Sequence, residues 1–177
     1  MATGSILLTP GSAMLPDGSA SNLAPALQRV KSSATAPPPY FLQLAYDAAQ
    51  LEFAVWQFRA PADVNATPAW TLKIQFKMAS ATTGNVIMIG RIAATTAGDT
   101  TDTDAKAFAS ANTSAATAVP ATTAGKLGEI SITMTNDDGA LAGDFVSLYI
   151  ARDGASGSDT ASGDLEFVAA ALTYTTA

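Results

Sequence analysis

The chain has 177 residues, enough for one domain, with 9 Lys plus Arg against 15 Asp plus Glu and a formal net charge of −6. It contains no Cys and no His, which excludes a disulfide framework, a thiolate nucleophile and a cysteine zinc site, and removes the commonest general base and metal ligand. Its cations are scattered and outnumbered, the opposite of the clustered Lys and Arg that neutralise phosphates, so no nucleic-acid partner is expected. Charged residues make up only 14% of the chain, where about 25% is usual. So few charges to wet the surface suggest that part of it is buried against neighbours.

Residues 1–39 read as an extended N-terminal arm. Pro10, Pro16 and Pro25 interrupt it, Gly4, Gly11 and Gly18 loosen it, and Pro37-Pro38-Pro39 ends it as a stiff hinge. Its apolar residues fall in small groups: Ile6, Leu7 and Leu8, then Met14 and Leu15, then Leu23, Leu27 and Val30. Asn22 to Val30 can form one or two helical turns, within the limits set by Pro25. Burying so few side chains does not offset the entropy of ordering the whole segment, so the arm is expected to lie on a larger body, its own domain or a neighbouring subunit. These eight residues are the expected partner-binding positions. Met1-Ala-Thr-Gly-Ser lacks a basic n-region, Ile6-Leu7-Leu8 is too short for a signal sequence, and no window approaches the roughly 18 apolar residues of a membrane span. The expectation is a chain made in the cytoplasm, with no membrane partner, that stays soluble there or reaches the outside by cell lysis.

From Tyr40 to the end, 40–177, the pattern is that of an antiparallel β-sandwich. Strands are predicted at 40–46, 51–59, 70–78, 86–93, 105–110, 115–119, 127–135, 145–152 and 165–175. The clearest is Trp70 to Met78, where Trp70, Leu72, Ile74, Phe76 and Met78 alternate with Thr71, Lys73, Gln75 and Lys77, one face buried and one polar. Asn136-Asp-Asp-Gly139, Ala142-Gly-Asp144 and the 154–163 loop carry turn residues. Nine or so short strands at regular spacing point to an all-β sandwich of jelly-roll type.

Chemistry is sparse. Asp99, Asp102 and Asp104 alternate on a loop, the arrangement that can wrap calcium, but the later bidentate Glu and fixed Gly of an EF-hand are missing. A solvated acidic loop is the expectation, with no metal and no cofactor. Arg152 with Asp153, Asp159 and Asp164 reads as a structural staple of a Gly/Ser-rich loop. The only glutamates, Glu52, Glu129 and Glu166, lie in separate predicted strands, and nothing selects a glycosidase pair among them. Trp70 is in phase with the buried face. Trp56 falls opposite Phe53 and Val55 and is the expected exposed contact residue.

Several segments taken in order carry a resemblance. They are Tyr40-Phe-Leu-Gln-Leu-Ala-Tyr46, Phe53-Ala-Val-Trp-Gln-Phe-Arg-Ala-Pro61, Met78-Ala-Ser-Ala-Thr-Thr-Gly-Asn-Val86 and Asp102-Thr-Asp-Ala-Lys-Ala-Phe108. Gly143-Asp-Phe-Val-Ser-Leu-Tyr-Ile-Ala-Arg-Asp153, Asp159-Thr-Ala-Ser-Gly-Asp164 and Leu172-Thr-Tyr174 complete them. This order resembles small jelly-roll virion proteins of tailed phages, some of them like head decoration (cement) proteins. It covers most of 40–177 and, more loosely, the stretch from Ala13 to Gly18. The resemblance implies a homotrimer on the outside of the virion, its arms reaching across the major capsid protein. Its motifs include no catalytic residues. The expected role is therefore a capsid decoration protein that stabilises the head, and not an enzyme. The alternative is a tail or baseplate receptor-binding module that recognises carbohydrate through Trp56 and the acidic loops.

Overall fold

The computed structural model describes residues 2–65, 67 and 69–177, so Met1, the first residue of the expected arm, lies outside them. Among the described residues the chain is all-β, with antiparallel ladders and only two short 3-10 turns, Pro10–Ser12 and Thr103–Ala105. The strands are β1 (Thr3–Leu8), β2 (Ala26–Lys31), β3 (Tyr40–Tyr46), β4 (Phe53–Arg59), β5 (Thr71–Met78), β6 (Asn85–Val86), β7 (Met88–Thr95), β8 (Asn112–Thr113), β9 (Thr117–Ala118), β10 (Gly128–Thr133), β11 (Phe145–Arg152) and β12 (Leu165–Thr175). One sheet has the order β10-β5-β12-β3-β2, with β1 also pairing β12; a second has the order β4-β11-β7-β8; β6 and β9 form a short ribbon.

The two larger sheets enclose one core. On β5, Leu72, Ile74, Phe76 and Met78 are buried while Lys73 and Gln75 face solvent, as the period of two requires. On β12 the phase changes. Leu165 and Phe167 point inward, then a bulge between Phe167 and Ala169 moves the inward set to Ala170, Leu172 and Tyr174. Trp56 of β4 meets Phe167 of β12 at a ring separation of 5.2 Å, joining the sheets across the core. Tyr46 of β3 donates its hydroxyl to the carbonyl of Ile150 on β11 at 3.3 Å, and burial raises its pKa well above the usual tyrosine value.

Much of the segment 2–31 is built into these sheets. Strand β1 runs antiparallel to Ala170–Thr175, on the side of β12 that β3 occupies at Leu165–Phe167. The following segment crosses to the second sheet. There Met14 and Val55 exchange backbone hydrogen bonds at 2.7 and 2.9 Å, and the Phe53 N–H donates to Leu23 at 3.1 Å. The chain then returns to the first sheet as β2 on β3. Residues 14–23 thereby give β4, otherwise an edge strand, backbone partners on its open side. The expected helical turns at 22–30 are a strand from Ala26 onward, because β3 offers a complete ladder to those backbone groups and Pro25 has no N–H to give a helix. The strand expected at 105–110 is irregular after its 3-10 turn, and that expected at 115–119 shortens to two residues.

Candidate functional site

The acidic loop is satisfied locally. Asp99 accepts from the Thr101 N–H at 2.7 Å and the Thr101 hydroxyl at 3.2 Å, and Asp102 accepts from the Asp104 N–H at 3.0 Å. These are turns closed by short acidic side chains. Asp99, Asp102 and Asp104 do not converge: among the described residues no group of three or more His, Cys, Asp or Glu is placed to hold a metal ion.

Arg152 forms a buried staple. Its guanidinium grips Asp159 bidentately at 3.1 and 2.8 Å and donates to the carbonyls of Gly163 and Ala161, each at 2.7 Å. Asp159 also accepts from the Ile87 N–H at 3.0 Å. Every member is hydrogen-bonded, which is what makes a buried ion pair tolerable, and the pair fixes the 153–164 loop against β6 and β7. The glutamates are dispersed. Glu52 accepts from the Asp47 N–H at 2.8 Å, while Glu166 pairs with Lys77 and accepts from Gln43.

Trp56 is not an exposed contact residue. It is 2% exposed, and its indole N–H donates to the Thr9 carbonyl at 2.9 Å. Strand β4 carries apolar residues on both faces, so its sequence does not reveal its phase. Ala54 and Trp56 face the core, whereas Phe53 and Val55 point to the outer side of the second sheet. The eight arm residues also divide. Leu8 lies in the core and Ile6 packs against it, so neither is free for a partner. Leu23 and Val30 are half-buried, and Leu7, Met14, Leu15 and Leu27 remain exposed, Leu7 at 70%.

What the outward side chains of β4 build is a groove on the outer face of the second sheet, of about 430 Å³. Its floor is Phe53 and Val55 of β4, Phe145 and Ser147 of β11, and Ala93 and Thr95 of β7. Met14, Leu15 and Pro16 form one wall, and Thr103, Asp104, Lys106 and Phe108 the other. At one end Phe53 stacks on Tyr149 with centroids 4.6 Å apart, Phe108 meets the same ring edge-on at 5.6 Å, and the Arg91 guanidinium lies 5.7 Å from its centre. Burial pushes the Tyr149 hydroxyl pKa up, against the opposing pull of the Arg91 charge. Lys106 anchors the second wall through Asp138 at 2.9 Å, and Asp138 also accepts from the Ala94 N–H at 2.7 Å. The groove is mainly apolar, with Gln57, Thr95 and Ser147 as polar points on its floor, in the size range of a binding surface, and its aromatic lining residues were not foreseen from the sequence. The one available signal was the double-sided apolarity of Phe53 to Phe58.

Compared with protein-family models and with curated proteins, the chain matches none.

Proposed function

We propose that this chain is a structural protein of a phage virion, a capsid decoration protein that binds the outside of the major capsid lattice as a trimer and stabilises the head. The observation that carries the reading is the exposed apolar surface. Leu7, Met14, Leu15 and Leu27 of the N-terminal segment stay in solvent, Met14 and Leu15 as one wall of the second-sheet groove, on a chain with few charges to keep such a surface wet. The strand order supports the jelly-roll part of the proposal: β10-β5-β12-β3 faces β4-β11-β7-β8, and among these eight strands the chain changes sheet at every step except from β7 to β8, the pattern of two Greek keys. The location rests on the resemblance of the order of sequence segments to that of phage virion proteins. The N-terminal segment contributes by presenting apolar side chains from a fixed path along the sandwich, and weak contacts of this kind multiply when many copies sit on one lattice. The test is abundance: in purified particles this chain should stand in a fixed ratio to the shell protein, at hundreds of copies, and a handful of copies would refute decoration.

A further inference from the structure

Strands β2 and β3 run past the core. Along β3, Leu44 is fully buried, Leu42 is 39% exposed and Tyr40 is 59% exposed, all on the face that looks toward the second sheet. In register opposite them on β2 are Leu27, Arg29 and Lys31. The overhang therefore presents an apolar row of Leu27, Leu42 and Tyr40 with two cations beside it. Neither Arg29 nor Lys31 has an ion-pair partner among the described residues, whereas Lys77, Lys106 and Arg152 do. The groove on the second sheet has the complementary character. Its floor is mainly apolar, with Phe53, Val55, Ala93 and Phe145 beside Gln57, Thr95 and Ser147, its Lys106 is neutralised by Asp138, and Asp104 lines it at the end of the exposed run that includes Asp99 and Asp102.

We propose that the β2–β3 overhang of one copy of this chain docks in the second-sheet groove of another copy. Leu27, Leu42 and Tyr40 seat on the apolar floor, and Arg29 and Lys31 meet the acidic run at 99–104. The two surfaces are different patches, so the contact is heterologous: repeated around an axis it closes a ring, and it leaves the outer face of the first sheet, with Leu7, uncovered. Charge complementarity fixes the register and the apolar row supplies the burial. The inference rests on the trimer of the proposed function and names the surfaces that meet in it; it needs no shell, so it can fail while a fixed copy ratio in particles still holds.

The test is sedimentation of the purified full chain at micromolar concentration. Wild-type protein should be an oligomer whose half-dissociation concentration rises with salt. Arg29→Glu with Lys31→Glu should raise that concentration about tenfold or more, and Asp102→Lys with Asp104→Lys should do the same. The chain carrying all four changes should regain association. Circular dichroism and a cooperative thermal transition establish that each variant is folded, since all four positions are exposed. A monomeric wild-type chain would overturn the proposal. So would an oligomer indifferent to either charge reversal, or a fourfold variant no better than its parents.

Discussion

Two buried or half-buried charges set the behaviour of their surroundings in opposite ways. Asp159 has its charge matched by Arg152 and an N–H from Ile87, so removing it leaves the guanidinium buried without a counter-charge. Asp159→Ala should cost about 3–5 kcal/mol in denaturant unfolding, and a loss below about 1 kcal/mol would contradict the staple. Glu52 has no cationic partner among the described residues. Burial raises its pKa above the ordinary glutamate value, the neighbouring charges of Asp47 and Asp164 add to the rise, and the Asp47 N–H only partly offsets it. A raised carboxyl binds its proton more tightly in the folded state, so stability falls as pH rises from the ordinary range through the raised value. Glu52→Gln keeps an acceptor for the Asp47 N–H and removes the charge. Its melting temperature should decline less than that of the wild type between about pH 4 and pH 7; parallel curves would show that Glu52 carries no such linkage.

At the scale of elements, β1 separates a segment that merely lies on the domain from one that belongs to it. Leu8 is 2% exposed in the core, and a Cβ on Gly4 would collide with the ring of Tyr174, which donates to Asp63 at 3.0 Å. Leu8→Ala should therefore cost about 2–5 kcal/mol and speed amide exchange at 170–175, where β1 pairs. Exchange unchanged at those positions would mean that β1 detaches freely. The same elements show what a sequence can carry. Strand β5 is legible because it has one wet face, so its alternation is clean. Strand β1 is not, since six residues including Gly4 and Ser5 hold no pattern until β12 supplies the partner. Strand β2 reads as helix or strand equally well, and only the ladder to β3 decides it. The phase of β4 misleads because both faces are covered, by the core and by residues 14–16, and this is why Trp56 was expected outside and the groove was not expected at all. The staple at Arg152 was legible because an Arg beside several Asp on a Gly-rich loop has few other uses.

For the whole molecule, the N-terminal segment ties the two sheets together at one edge and still leaves apolar side chains in water. An isolated domain gains nothing from Leu7 at 70% exposure or Tyr40 at 59%, and an assembled one does. Leu27 belongs to the overhang and Met14 and Leu15 to the groove wall, whereas Leu7 lies on the outer face of the first sheet. Self-association through the overhang and the groove, as proposed, would leave the Leu7 face for attachment to a larger lattice, an arrangement that suits a repeated coat component. The central claim is that this lattice is the head shell. The most direct measurement is quantitative mass spectrometry of purified particles, comparing this chain with the major capsid protein. The account predicts hundreds of copies per particle in a constant ratio to the shell protein. A few dozen copies or fewer, or a ratio that varies between preparations, would contradict it.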